Sequence, residues 1–129
     1  MDSRLQLKTP RPADEPVWLG IRQMFWDEVR QAIEAVSEVE AAVVFGSRAH
    51  GNYRPASDVD ICLFGRRLSQ TQRWRLEEAI DDLLWPWEVD LVHWEGTSSP
   101  RFRDEVRRDA LVLFNRSLPG TRPVDLEHS

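Results

Sequence analysis

Val43-Val44-Phe45-Gly46-Ser47-Arg48-Ala49-His50-Gly51 and, after a short polar connection, Ser57-Asp58-Val59-Asp60-Ile61 read as a strand, a turn and a second strand. The first apolar run ends in Gly-Ser, and Gly51, Asn52 and Pro55 break up the connection. Strand alternation puts Asp58 and Asp60 on one face and Val59 and Ile61 on the other. Two carboxylates held side by side repel, and a divalent cation between them removes that conflict. Hard oxygen ligands suit Mg²⁺, which takes one or two carboxylates and completes its shell with water and phosphate oxygens. Gly46 lets backbone approach a ligand closely, while turn N–H groups and the Ser47 hydroxyl can donate to a phosphate. One turn of helix after Ser47 would aim further N–H groups there, with Arg48 adding positive charge. Alone, an Asp-x-Asp is more often a solvated strand face and a Gly-Ser only a turn. Their joint occurrence, with ten residues between Ser47 and Asp58, reads as a metal–nucleotide site.

Working outward, residues 1–16 carry Pro10, Pro12 and Pro16 without periodicity and predict a flexible arm. Ile21, Phe25, Val29, Ala32, Ile33 and Val36 recur at helical spacing, which predicts an amphipathic helix over 17–37. Trp18, Met24 and Trp26 widen its apolar surface. The unbroken apolar run Ala41–Phe45 predicts a central strand, and 58–64 its neighbour. Ser69 with Gln72 forms a capping box opening a helix that would bury Leu76, Ala79, Ile80, Leu83 and Leu84 until Pro86 stops it. A third strand is predicted over 87–94, with Glu88, Asp90, Val92 and Trp94 on one face. Asp90 stands out there, because a carboxylate in mid-strand is costly to bury unless it is paired or bound to metal. Ser99-Pro100 opens a helix to Asp109 as N-cap and first helical residue, and 110–114 is a final edge strand. Pro119, Gly120 and Pro123 mark a flexible tail over 116–129. The fold class is α+β: a mixed sheet of three to four strands flanked by helices, in one domain over 17–115.

Composition narrows the function. A chain of 129 residues is small for an enzyme that must hold two substrates, so part of an acceptor site can come from elsewhere. A net charge of −5 argues against general nucleic-acid binding, which needs cations to neutralise phosphates. Cys62 is the only cysteine, which excludes an intramolecular disulfide and a thiolate cluster; it reads as a small buried hydrophobe, with a reactive thiol as the other reading. No apolar run is long enough for a membrane span and the start lacks the core of a signal peptide, so the expected location is cytoplasmic. Nothing in the pattern sets the oligomeric state, and an oligomer remains open.

With Gly46, Ser47, Asp58 and Asp60 at this interval, the chain resembles the nucleotidyltransferase superfamily of the DNA polymerase beta type. Gly-Ser-Arg-Ala-His-Gly and Ser-Asp-Val-Asp look like its compact branch, the minimal nucleotidyltransferases. The resemblance implies transfer of a nucleoside monophosphate, AMP from ATP, to a hydroxyl with two Mg²⁺ ions and release of pyrophosphate. It implies that Asp58 and Asp60 bind metal and that Gly46, Ser47 and Arg48 hold the phosphates. A third metal-binding, catalytic Asp stands on the next core strand in this superfamily. Asp90 is the best match, with Glu88 as its competitor. The acceptor implied is a Tyr of a small helical HEPN-type partner toxin, this chain being the antitoxin; Trp18, Trp26, Trp85 and Trp87 are candidate anchors for such a partner. Two further readings stand beside it: a transferase for a small hydroxylated acceptor such as an aminoglycoside, and a non-catalytic antitoxin binding by surface alone. His50 stands where many such proteins have Arg, which weakens the phosphate grip or marks an exposed loop residue. His93 reads as structural.

Overall fold

The computed structural model describes residues 16–117, 119, 121–123 and 126. The predicted arm over 1–16 therefore lies outside the described residues except for Pro16. The first described elements form a two-stranded hairpin, β1 (Val17–Trp18) and β2 (Ile21–Arg22), followed by α1 (Gln23–Glu34). Next come β3 (Ala41–Phe45), the short α2 (Gly46–His50), β4 (Val59–Phe64), α3 (Gln70–Asp81) and β5 (Val89–His93). A 3₁₀ turn (Trp94–Gly96), α4 (Pro100–Asp109) and β6 (Leu111–Asn115) follow.

The main sheet runs β5-β4-β3-β6, with β3 antiparallel to both neighbours and β5 parallel to β4. This is the expected mixed α+β sheet, with β3 at its centre and β6 at an edge. All of β3 is buried because both faces are covered. One face packs Ala42, Val44, Ile61 and Leu63 against Phe25, Val29 and Ile33 of α1 and Leu76 and Ile80 of α3. The other sets Val43, Phe45, Cys62 and Phe64 against Val106 of α4 and Leu126. Cys62 is thus the small buried hydrophobe, its thiol pushed far up by burial.

Several boundaries differ from expectation, each for a local reason. The helix predicted over 17–37 begins only at Gln23, because Leu19 and Gly20 take φ values of 53° and 80°. Two consecutive left-handed residues make a two-residue hairpin turn and cannot continue a helix. Trp26, offered as a partner anchor, is wholly buried and donates its indole N–H to the Trp18 carbonyl at 2.8 Å. At α3 the capping box forms as read, Ser69 and Gln72 bonding each other's backbone. The helix then ends at Asp81, well before Pro86. Bonds from Leu83 to Ile80 and from Leu84 to Asp81 tighten its end. Leu84 takes φ 59° and swings out to 88% exposure, and Ala79 also faces water. The third strand is shorter than predicted and gives way to the 3₁₀ turn at Trp94. Ser99 caps α4 through the Phe102 N–H with Pro100 at the first position.

The described part of the predicted flexible tail packs back onto the domain. Arg116 donates to the carbonyls of Glu34, Val36 and Val39, Asn115 Nδ2 to Thr121, and Arg122 to Arg107. Residues 118, 120, 124, 125 and 127–129 lie outside the description. Among the described residues no helix is long and apolar enough to cross a membrane. Because Trp26 fills the junction of hairpin and helix, Trp26→Ala is expected to cost about 3–5 kcal/mol, measured by urea denaturation; a cost below about 1 kcal/mol would contradict that packing.

Candidate active site

The site grows from one row of the sheet. Phe45 pairs with Asp60 across β3 and β4, and Asp60 pairs with Asp90 across β4 and β5. Pleat alternation turns Asp60 to the face of Cys62 and Phe45, which is the face α4 covers. Asp60 is half-buried, whereas Asp58, just before β4, and Asp90, on the edge strand, are exposed. Asp90's exposure removes the burial cost that made it stand out in the sequence. What the fold supplies is its register beside Asp60. Glu88, the competitor, precedes β5, and its carbonyl accepts the Val59 N–H.

Gly46 follows Phe45 directly and opens α2 at φ 76°. A Cβ there would collide with the Asp60 carboxylate oxygen Oδ2. Glycine is required at this position for two reasons, the left-handed backbone and the close approach of Asp60. Ser47 stands next to it. The two line an open cleft of about 260 Å³ together with His50, Asn52, Glu105, Arg108 and Asp109.

Electrostatics mark Asp60 as the unusual member. Burial, then the charges of Asp90, Asp58 and Glu105, push its carboxyl up to about 6 from an ordinary 3.8. An all-carboxylate donor set short of positive charge is what a hard divalent cation satisfies, so Asp58, Asp60 and Asp90 fit Mg²⁺ chemically. Among the described residues no three acidic, His or Cys side chains are already drawn into a cage.

Arg48 is placed differently from expectation. The resemblance sets it on the phosphates, yet it is 1% exposed and faces inward. Its guanidinium donates to the carbonyls of Leu19, Pro55 and Ser57 and stacks on Tyr53. The cation at the cleft is Arg108, from α4. Asp109, itself 8% exposed, accepts both Nε and Nη2 of Arg108 at 3.0 Å. Asp109 also faces His50 Nδ1 at 3.3 Å, and the Arg108 bond with His50's help holds its carboxyl below the usual range. His50 is exposed as expected, but it is the last residue of α2 rather than a loop residue, and it has a specific partner. Glu105, Arg108 and Asp109 were missed because α4 reads as an ordinary charged helix; only the topology carries it over the sheet end. His93 is structural as expected, bonded to the Gly65 carbonyl at 2.7 Å.

A model of the polymerase beta nucleotidyltransferase family matches residues 27–118. The chain belongs to this family. It is similar to the "Probable protein adenylyltransferase MntA" of Haemophilus influenzae, 34% identical over 83 residues, covering 64% of this chain and 72% of that one. Among solved structures it resembles a chain of a toxin–antitoxin complex with AMP-PNP, with a TM-score of 0.62 at 21% identity, covering 79% of this chain and 77% of that one. It also resembles a chain of a complex of tri-AMPylated Shewanella oneidensis HEPN toxin with MNT antitoxin, with a TM-score of 0.56 at 20% identity, covering 72% and 71%. A protein assigned as a minimal nucleotidyltransferase shares 28% identity over 74% of this chain and 95% of its own, with a TM-score of 0.55. As a family member the chain is a nucleotidyltransferase and takes a nucleotide donor.

The Asp60 shift gives a prediction with a definite sign. Between about pH 4 and 6 the folded metal-free protein keeps a proton that the unfolded chain has lost, so stability falls as pH rises through that window. In EDTA, Asp60→Asn should therefore exceed the parent in stability at pH 8, by up to about 3 kcal/mol, and lose that advantage by pH 4. A urea-denaturation difference that does not change with pH would contradict the uncompensated charge.

Proposed function

We propose that this nucleotidyltransferase is a protein adenylyltransferase that moves AMP from ATP onto a Tyr hydroxyl of a HEPN-type partner protein and thereby acts as its antitoxin. The observation that carries the reading is the sheet row Phe45, Asp60 and Asp90, with Gly46, which lines the cleft, set against the Asp60 carboxylate. Support for this acceptor comes from the relative named as a protein adenylyltransferase and from the likeness to chains of the AMP-PNP and AMPylated-toxin complexes.

Asp58, Asp60 and Asp90 would hold Mg²⁺, as two ions; bound there, they supply neutralisation of triphosphate charge and a lowered pKa for the acceptor hydroxyl. The Gly46 backbone and Ser47 hydroxyl bind the β- and γ-phosphate oxygens and orient the chain of phosphates. Arg108 opposes their charge with the guanidinium edge that Asp109 leaves open, since a side-on carboxylate occupies only two of five N–H donors. Asp90, exposed on the edge strand, faces the acceptor and takes its proton. The Tyr oxygen then bonds the α-phosphorus, the bond from that phosphorus to the bridging oxygen breaks, and pyrophosphate leaves with the electron pair. The net charge of −5 is consistent with a protein acceptor rather than a nucleic acid.

The test is label transfer from α-³²P-ATP with Mg²⁺, with the chain alone and with a HEPN-type protein encoded beside it. Label is expected on a Tyr of that partner, with Asp58→Ala reducing transfer at least about 100-fold while leaving the domain folded. Transfer retained in Asp58→Ala, or no transfer to a stably bound partner, would overturn the proposal. Arg108→Ala is expected to raise KM for ATP about tenfold, read from initial rates; an unchanged KM would remove Arg108 from the phosphate site.

A further inference from the structure

Arg48 presents a physical puzzle. It is a cation at 1% exposure whose described partners are neutral, and burial lowers its pKa. A buried charge is costly unless fully hydrogen-bonded. Here the hydrogen bonds are specific: Nη1 donates to Leu19 O at 3.0 Å, Nη2 to Pro55 O at 2.8 Å, and Nε and Nη2 both donate to Ser57 O at 3.2 and 3.0 Å. The Tyr53 ring closes the planar face, 4.7 Å from the guanidinium carbon.

We infer that Arg48 is a positioning residue for Asp58, and that the β1–β2 hairpin, which precedes the family match at residue 27, is part of the brace. Ser57 O belongs to the peptide that joins Ser57 to Asp58, and two guanidinium N–H groups fix its plane. Arg54 and Ser57 close a turn just before it, Ser57 N donating to Arg54 O and Arg54 N to Ser57 Oγ. Pro55 O takes a second donor, Trp87 Nε1 at 2.9 Å, from beside β5. The connection that carries Asp58 is thereby bolted to α2, to the segment ahead of β5 and, through Leu19, to the hairpin. The hairpin touches it again at Gly20, where a Cβ would stand 2.5 Å from the Tyr53 ring. Guanidinium is suited to this because its donors point in several fixed directions in one plane; a Lys ammonium keeps the charge but cannot hold three carbonyls in that fork.

The inference rests on the proposed transfer reaction, and its test separates the two, because amide exchange is read without nucleotide, metal or partner. Arg48→Lys and Gly20→Val are compared with the parent in the full chain. Gly20→Val does not touch the cleft; it clashes with Tyr53 and strains a residue at φ 80°. In both variants, hydrogen exchange over 52–58 should accelerate at least about tenfold while α1 and β3 keep their protection. In the transfer assay kcat should fall about 10–100-fold, with KM for ATP within about twofold. Unchanged exchange over 52–58, or a raised KM with unchanged kcat in Arg48→Lys, would overturn the inference and return Arg48 to the phosphates. Should Arg48→Lys fail to fold, Gly20→Val decides alone, and unchanged loop exchange in it is equally fatal.

Discussion

Asp60 occupies a position that the fold defines from three directions. The strand pairing sets Phe45 on one side and Asp90 on the other, and the turn into α2 brings Gly46 against its carboxylate. Like charges gather around it while burial strips water from it, so its proton is held up to about pH 6. In the bare domain this is a conflict. A strand residue on that face would ordinarily be apolar, as Cys62 and Phe64 are further along the same strand. The conflict stands at the end of the sheet beside an open cleft, where a cation and a phosphate chain can resolve it. Stability given up in the free state becomes affinity for charge in the loaded one.

The cations are distributed in a way that supports this. Arg48, nearest in sequence to the Gly-Ser turn, is used inside the protein and offers nothing to the cleft. Arg108 stands at the cleft instead, but a buried carboxylate, Asp109, fixes its orientation. That arrangement limits the positive charge available to Asp60, whose shift is set by burial and other acids. A free Arg sweeping over the carboxylates would neutralise them and compete with metal. Holding one Arg in a carbonyl cage and the other on a carboxylate fork keeps the acidic row acidic.

Sequence patterning revealed the sheet well because the same burial constraint acts on every residue of a strand: Ala41–Phe45 is uninterrupted apolar chain because α1 and α3 cover one face and α4 the other. The caps at Ser69 and Ser99 were legible because their partners lie three residues away. What failed to show was nonlocal or backbone-encoded. The helix read over 17–37 takes in Leu19-Gly20, and only a left-handed turn, which Leu rarely adopts, breaks it there. Arg48 looks like a phosphate ligand because the sequence cannot reveal that three carbonyls, one of them 29 residues away, converge on it. Glu105, Arg108 and Asp109 gave no signal, since a charged helix face reads the same over solvent as over a cleft. The described tail followed the same rule: Leu126 finds its core on the α4 face through tertiary packing alone.

The row also imposes a direction on the chemistry. Strand order places Gly46 and Ser47 beyond β3 on one side of Asp60 and Asp90 on β5 at the other. The cleft lies on the Gly46 side, between α2 and α4, the side on which the proposed reading seats the phosphates. β5 is an edge strand, and Asp90 on it is open to solvent. Under the proposed transfer, an acceptor hydroxyl reaching Asp90 would come from outside the sheet edge, on the side away from the cleft, and in-line displacement calls for nucleophile and leaving group on opposite sides. Among the described residues no strand pairs with β5 on the side away from β4. On that reading the body that presents the hydroxyl would bring its own surface to β5, as a folded partner protein can.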